Sequence, residues 1–333
     1  MQDRTGGAGG FAACVGRAGL ETACVSDTSE TIEQSGPAFV KANGVELCYE
    51  TFGNPAHPPL VLVMGLAAQM ILWHEEFCIE LARQGRWVVR FDNRDIGRST
   101  RIARDATPSM PEIFAAAAAG NPFPPSYTLL DMGRDTLGLC DALGIDKPDV
   151  VGASMGGAIT MELAVSFPER LRTATFIMAP TGDPQGAPPT PAALASLMAP
   201  RSTDRETFVR NFVKAWRVLA AEHFPFDEER VRWEGETSFE RGADPDGVSR
   251  QMLAIIASGN RLPKLHGLRV PALVIHGTLD PLVPLQHGLD VATAVAGSTL
   301  EVVPGMGHSL PRGAWPQILE AIREHAPPAN AAR

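Results

Sequence analysis

Short apolar segments alternate with amphipathic segments along most of the chain. Residues 59–65, PLVLVMG, form a continuous apolar run, which is typical of a parallel strand buried on both faces. Residues 75–85, EEFCIELARQG, have apolar positions at helical spacing and end on glycine. By the same criteria we predict further strands at residues 45–53, 86–92, 148–152, 173–180, 271–277 and 299–305, and further helices at residues 128–145, 157–168, 285–296 and 315–325.

This alternation of strands and helices predicts an α/β fold. Crossovers between parallel strands are expected to be right-handed and to place helices on both faces of a mostly parallel central sheet. In such sheets, ligands bind beyond the carboxyl ends of the strands. Candidate catalytic residues are therefore expected in the segments that follow the strands.

Two long segments interrupt the alternation. Residues 103–127 contain a run of five alanines and the proline-rich sequence NPFPPS. Residues 181–248 are longer and carry aromatic side chains at Phe208, Phe212, Trp216, Phe224 and Phe226. A long insertion between two strands, on the side where ligands bind, is typical of a lid. We expect residues 38–180 and 249–327 to form the core and residues 181–248 to form the inserted lid.

The beginning of the chain has a different composition. Residues 1–37 are rich in glycine, alanine, serine and threonine and lack periodic hydrophobicity. They also lack the continuous apolar stretch of a secretory signal. We expect this segment to be a disordered N-terminal extension.

Composition and charge argue against several classes of protein. Hydrophobic residues make up 44% and charged residues 20% of the chain, as in soluble globular proteins. A net charge of −9 without a basic cluster argues against binding to nucleic acid or to anionic membranes, and no apolar run could span a bilayer. The five cysteines show no metal-binding spacing, so we predict no metal or cofactor and expect a reducing cytoplasm. Cys48, Cys78 and Cys140 lie in apolar patterns typical of buried positions.

One serine lies among unusually small residues. The sequence VVGASMGGAI, residues 150–159, contains the pattern G-x-S-x-G around Ser154, after a predicted strand and before a predicted helix. A sharp strand-to-helix turn presents a serine hydroxyl above the sheet, and bulky side chains at positions 152, 156 or 157 would collide with neighbouring elements. The helix N-terminus also favours the negative charge that develops during attack. We predict that Ser154 is a nucleophile.

A serine nucleophile needs a base, and the base needs an acid that orients it. His308 follows the last predicted strand, in a loop that Gly305 and Gly307 allow to bend toward the sheet. Asp280 follows the preceding strand, although an aspartate before Pro281 could also serve only to cap a turn. The order Ser154, Asp280, His308 agrees with the order Ser…Asp/Glu…His along the chain. The oxyanion would require backbone N–H donors, which we assign to Leu66 and Met155.

With these residues, the chain resembles the α/β-hydrolase superfamily from about residue 38 to residue 325. The segments MGLAAQMILWHEEF and RFDNRDIGRST are similar to those of the serine carboxylesterase branch that contains the aclacinomycin methylesterases. Many members have His-Gly where this chain has Met64-Gly65, and the resemblance implies that this change affects loop anchoring rather than chemistry. It also implies that Asp92, Arg94, Asp95 and Arg98 belong to a structural loop of charge-assisted hydrogen bonds.

The expected activity is hydrolysis of a carboxylic ester of a small hydrophobic molecule through an acyl-enzyme. Haloalkane dehalogenases and epoxide hydrolases of this superfamily use an aspartate where this chain has Ser154, which argues against both activities. Thioesterase, amidase, carbon–carbon bond hydrolase and cofactor-free perhydrolase activities use the same triad, and a non-catalytic small-molecule receptor is a further alternative. No G-x-G-x-x-G follows the first strands, which argues against an NAD-dependent enzyme. The substrate's acyl and alcohol groups and the oligomeric state do not follow from the sequence.

Overall fold

A computed structural model describes residues 31–103, 106–199 and 202–327. Most of the expected N-terminal extension, residues 1–30, lies outside the described residues. Within the described part, Gln34 forms an isolated antiparallel bridge with Phe52, and the Ser35 N–H donates to the Thr51 carbonyl over 3.1 Å. Regular backbone pairing therefore begins a few residues before position 38, where we expect the core to start.

Eight strands form one sheet in the order β1-β2-β4-β3-β5-β6-β7-β8. All pairs from β4 onward in this order are parallel, whereas β1–β2 and β2–β4 are antiparallel. The prediction of a mostly parallel α/β sheet is confirmed. The strands are β1 (Ala38–Ala42), β2 (Val45–Phe52), β3 (Pro59–Val63), β4 (Trp87–Phe91), β5 (Asp149–Ala153), β6 (Thr173–Ile177), β7 (Ala272–Gly277) and β8 (Thr299–Val303).

The antiparallel hairpin at the sheet edge results from a two-residue turn. Asn43 and Gly44 both have positive φ angles, 49° and 80°, and connect β1 to β2 with Ala42 opposite Val45. Such turns match the twist of the strands on either side. The sequence pattern had predicted β2 but not β1.

Eleven α-helices occur in the described residues. They are α1 (Glu75–Arg83), α2 (Met110–Ala118), α3 (Leu129–Ala142), α4 (Met155–Ser166), α5 (Pro191–Met198), α6 (Arg205–Leu219), α7 (Glu228–Gly242), α8 (Pro245–Ser258), α9 (Leu262–Leu265), α10 (Leu285–Ala294) and α11 (Trp315–His325). Each helix predicted from spacing is present. The alanine run forms part of α2, which the sequence analysis had not predicted.

Apolar residues of the central strands point alternately to two cores. In β3, Val61 and Val63 belong to a cluster with residues of α3, α4 and α10, whereas Leu60 and Leu62 belong to a cluster with residues of α1 and α11. Because side chains alternate along a strand, this partition shows that helices cover both faces of the sheet. All four side chains are fully buried.

The insertion between β6 and β7 is helical. Helices α5 to α8 occupy it, and α8 continues to Ser258, ten residues past the expected lid boundary at 248. Aromatic rings pack within it, with ring centroids of Phe208 and Phe239 5.5 Å apart and those of Phe212 and Trp216 6.0 Å apart. We refer to α5–α8 as the insertion helices. None of the helices in the described part of the chain has both the length and the hydropathy for a membrane crossing.

The turn between β5 and α4 brings backbone segments unusually close together. A Cβ atom on Gly156 would lie 2.0 Å from the Val63 carbonyl oxygen, and one on Gly152 would lie 2.1 Å from the Gly156 carbonyl oxygen. Ser154 itself has φ 56° and ψ −120°, a strained combination for a residue with a side chain. The small residues of the motif therefore allow α4 to start directly against β3.

We expect Gly156→Ala to lower the free energy of unfolding by at least about 2 kcal/mol, because the added methyl group meets rigid backbone. Gly267→Ala is the matched control, since its Cβ would have no neighbour closer than 4.0 Å and its φ is not in the left-handed region. This control should change stability by less than about 0.5 kcal/mol. Urea unfolding measures both variants, and equal stabilities would contradict the packing described for the turn.

The cysteines at positions 48, 78 and 140 are buried and free, as the sequence analysis expected. Burial raises the pKa of the Cys48 thiol to about 11 and those of Cys78 and Cys140 to about 12. Because the thiolate is the reactive form, iodoacetamide at pH 8 should leave all three unmodified in the folded protein and modify them in urea. Peptide mass spectrometry after labelling measures this, and rapid modification of the folded protein at any of the three would contradict it.

Candidate active site

The three predicted catalytic residues meet at the carboxyl ends of the strands. Ser154 follows β5, Asp280 follows β7 and His308 follows β8. The Ser154 Oγ lies 2.9 Å from His308 Nε2, and His308 Nδ1 lies 2.7 Å from Asp280 Oδ2. Because an ionised carboxylate only accepts hydrogen bonds, Nδ1–H donates to Asp280 and Nε2 accepts from the serine hydroxyl. The side chains thus form one hydrogen-bonded row, and their catalytic roles stay predictions.

The second carboxylate oxygen of Asp280 holds its own loop. Asp280 Oδ1 accepts hydrogen bonds from the backbone N–H groups of Leu282 and Val283 over 2.9 and 2.8 Å. The Nε2 of the fully buried His276 lies 2.7 Å from the Val283 carbonyl oxygen, to which it donates. Burial lowers the pKa of His276, which keeps its imidazole neutral near pH 7. Asp280 therefore both caps a turn, the alternative considered from sequence, and contacts His308.

Leu66 and Met155, the predicted oxyanion donors, lie in the segments that meet at Ser154. Met155 is the first residue of α4, and Leu66 follows Gly65, whose Cβ would lie 3.5 Å from the Ser154 Oγ. Within the described residues, neither the Leu66 N–H nor the Met155 N–H has a hydrogen-bond acceptor. Both residues line the same cavity as Ser154. The assignment of these groups as oxyanion donors stays a prediction, and their location is consistent with it.

The charged loop after β4 anchors the insertion helices. Asp92, which is fully buried, accepts from the Met70 N–H over 2.8 Å, from the Arg98 N–H over 3.0 Å and from the Arg241 guanidinium over 2.7 Å. Arg241 belongs to α7, so this ion pair connects the insertion to the core. The interactions of Asp92 are structural, in agreement with the interpretation of the motif FDNRDIGRS.

A second buried ion pair lies beside the first. Asp95 accepts from Arg250 of α8 over 2.8 Å and from the Tyr127 hydroxyl over 2.6 Å. Burial raises the pKa of Tyr127, so the phenol stays protonated and donates. The sequence analysis missed Arg241 and Arg250, since charged helical residues normally lie in solvent and no local motif marks their partners.

A cavity of about 380 Å³ extends from Ser154 and His308 beneath the insertion helices. Its walls are mainly apolar and include Phe208, Phe212 and Trp216, three of the aromatic residues noted in the sequence. No Asp, Glu, Lys or Arg is found among the described residues that line it. Its polar lining side chains are those of Ser154, Ser196, Ser202, Asn211 and His308. The cavity suits an uncharged and largely apolar small molecule.

The side chain of His74 is not part of the hydrogen-bonded row. Its Nε2 lies 2.8 Å from Glu234 of α7, and its ring makes an edge contact with Trp315. This side chain therefore contributes a further contact between the core and the insertion helices.

Comparison with known proteins shows the family to which the chain belongs. The chain is 29% identical to a rhodomycin D methylesterase of Streptomyces sp. (strain C5), over 86% of this chain and 97% of that protein. It is 26% identical to 3-oxoadipate enol-lactonase 2 of Acinetobacter baylyi, over 79% and 86%. The solved structure of a 2-hydroxy-6-oxo-6-phenylhexa-2,4-dienoate hydrolase from Rhodococcus sp. strain RHA1 superposes with a TM-score of 0.67 at 24% identity, over 89% of this chain and 99% of that chain.

The methylesterase relative confirms the resemblance that was inferred from the segments at residues 64–77 and 90–100. The family profile described as alpha/beta hydrolase fold matches residues 58–311, about three quarters of the chain. This match includes the serine turn and the loops of Asp280 and His308. The chain belongs to the alpha/beta hydrolase fold family.

Proposed function

We propose that the protein is a carboxylic ester hydrolase that cleaves an uncharged ester of a small apolar molecule through an acyl-enzyme on Ser154. The observation that carries this proposal is the hydrogen-bonded row of Ser154, His308 and Asp280 at one end of an apolar cavity. The relationship to a methylesterase over most of both chains supports an ester as the substrate.

In the first half-reaction, His308 Nε2 takes the hydroxyl proton while Ser154 Oγ bonds to the ester carbonyl carbon. The resulting oxyanion accepts hydrogen bonds from the N–H groups of Leu66 and Met155, which we assign as the oxyanion donors. Asp280 stabilises the imidazolium and keeps Nδ1 protonated. The tetrahedral intermediate then breaks its bond to the alkoxy oxygen, which takes the proton from Nε2 and leaves as the alcohol.

The second half-reaction repeats these steps with water. His308 accepts a proton from a water molecule, and the hydroxide oxygen bonds to the acyl carbon. The intermediate breaks its bond to Ser154 Oγ, which regains the proton from His308, and the carboxylic acid leaves. General base catalysis contributes a factor of roughly 10²–10⁴ in such reactions, and each oxyanion-hole donor contributes roughly 10²–10³.

The absence of charged side chains from the described lining of the cavity favours some substrates of this mechanism over others. The names of the enol-lactonase and the dienoate hydrolase described above refer to molecules that bear a carboxylate. Burying a carboxylate in an apolar cavity without a cationic partner costs several kcal/mol, and no lysine or arginine lines the cavity among the described residues. An uncharged ester therefore fits this site better than a carboxylated lactone or a carbon–carbon bond substrate.

We infer that the insertion helices act as a lid over the bound acyl group. Phe208, Phe212 and Trp216 on α6 supply one wall of the cavity, while Ser154 and His308 lie on the core. The backbone N–H of His308 donates to the Leu219 carbonyl at the end of α6 over 2.7 Å. This contact links the lid directly to the histidine loop. It is consistent with the proposed division into a core and an inserted lid near residues 181–248.

Replacing Ser154 with alanine should lower kcat for p-nitrophenyl butyrate by at least about 10³-fold, because it removes the hydroxyl that is hydrogen-bonded to His308 and forms the acyl-enzyme. Ser298→Ala is the matched control, since the Ser298 hydroxyl donates to the Ala292 carbonyl over 3.2 Å and does not line the cavity. It should keep kcat within about threefold of the unsubstituted protein. A fully active Ser154→Ala variant would refute the proposed nucleophile.

The proposed substrate charge can be tested with paired methyl esters of equal chain length. A carboxylate at the distal end of the acyl chain should lower kcat/KM by about 100-fold relative to a distal methyl group, corresponding to about 2–3 kcal/mol of uncompensated burial. Asn211→Lys places a cation in the lining of the cavity. This variant should reduce the difference in kcat/KM between the two esters. Equal or preferred turnover of the carboxylated ester by the unsubstituted protein would contradict an uncharged substrate.

A further inference from the structure

The loop from Met64 to Met70 is held by side chains from distant parts of the chain. At its start, Asn93 Nδ2 donates to the Met64 carbonyl over 2.9 Å. At its end, the Met70 N–H donates to Asp92, as described above. We refer to residues 64–70 as the oxyanion loop, because it carries the Leu66 N–H. Its two ends are thus fixed to the segment after β4.

The middle of the oxyanion loop is held from the lid. The Ala67 N–H donates to Gln251 Oε1 over 3.1 Å, and Gln251 Nε2 donates to the Arg94 carbonyl over 2.9 Å. Gln251 lies on α8 and is fully buried. Both polar ends of its amide are therefore satisfied, one by the oxyanion loop and the other by the loop after β4.

The hydrogen bond from Ala67 to Gln251 holds a strained part of the backbone. Ala67 has φ +61°, a left-handed conformation that costs an alanine roughly 1–2 kcal/mol. The Ala67 N–H belongs to the peptide group that directly follows Leu66, so its hydrogen bond fixes the orientation of the backbone at Leu66. The Ala67 N–H is occupied by Gln251, whereas the Leu66 N–H has no acceptor among the described residues, and Leu66 lines the same cavity as Ser154.

We propose that Gln251 is a positioning residue for the oxyanion hole. Its Oε1 holds the Ala67 peptide in the strained conformation that directs the Leu66 N–H toward the developing oxyanion. Gln251 does not touch the reacting atoms and acts only through the loop. This inference rests on the proposed function, and it adds that the lid contributes to transition-state stabilisation as well as to the walls of the cavity.

Three variants test the role of Gln251. Gln251→Leu removes both hydrogen bonds at similar size, whereas Gln251→Glu keeps a carboxyl oxygen to accept from Ala67 and, when protonated, a donor for the Arg94 carbonyl. Ser258→Ala is the matched control on the same helix. Ser258 Oγ accepts from the Leu129 N–H over 3.0 Å, which joins α8 to α3 away from the oxyanion loop.

The measurements are kcat and KM for p-nitrophenyl butyrate and the inhibition constant of an alkyl trifluoromethyl ketone, which forms a tetrahedral adduct with a catalytic serine. Gln251→Leu should lower kcat about 10- to 100-fold and weaken the ketone by a similar factor, with KM changed less than about threefold. Gln251→Glu and Ser258→Ala should keep both quantities within about fivefold of the unsubstituted protein. A helix that served only for stability would not produce this separation between kcat and KM.

The proposal is overturned if folded Gln251→Leu keeps its kcat or its affinity for the ketone. If circular dichroism shows that Gln251→Leu does not fold, the Gln251→Glu variant provides the test instead. Loss of kcat and of ketone affinity in folded Gln251→Glu then overturns the proposal. Failure of the proposed function has a different signature, because the unsubstituted protein would then hydrolyse no ester. An active protein with an inactive Ser154→Ala variant and a fully active Gln251→Leu variant would refute only the role of Gln251.

Discussion

The close approach of α4 to β3 at the end of β5 is the constraint on which the site depends. Gly156 packs so tightly against the Val63 carbonyl that no side chain fits between them, and this contact fixes where the helix begins. The sharp turn requires a strained backbone conformation at Ser154, which costs of order 1–3 kcal/mol. This conformation persists only because the surrounding backbone leaves no alternative. The hydroxyl is thereby exposed above the sheet, within hydrogen-bond distance of His308.

Buried charges around the loop after β4 hold the insertion helices relative to this turn. Arg241 and Arg250 reach from the insertion helices to Asp92 and Asp95, and Gln251 adds a neutral contact to the oxyanion loop. Buried ion pairs contribute little net stability because desolvation offsets their attraction, but removing one partner is costly. Their effect here is geometric: they hold the cavity wall and the oxyanion loop in one arrangement.

Local patterns in the sequence predicted the central strands, the helices that cover them and the three residues of the hydrogen-bonded row, because each signal lies within a few neighbouring residues. The Asn43-Gly44 turn was also a readable hairpin signal, and it would have identified β1. Arg241 and Gln251 could not be predicted in this way. Each is an ordinary polar residue on a helix, and its partner lies about 150 to 180 positions away, so only the tertiary fold brings the two together.

Detection of an acyl-enzyme on Ser154 tests most directly whether this residue is the nucleophile. The protein would be mixed with p-nitrophenyl acetate, quenched in acid within the first turnover, digested and analysed by mass spectrometry. The account predicts a burst of p-nitrophenol close to one equivalent and an added acetyl group on Ser154, in the peptide that joins β5 to α4. Turnover of the ester without a burst and without acetylation of Ser154 would contradict it.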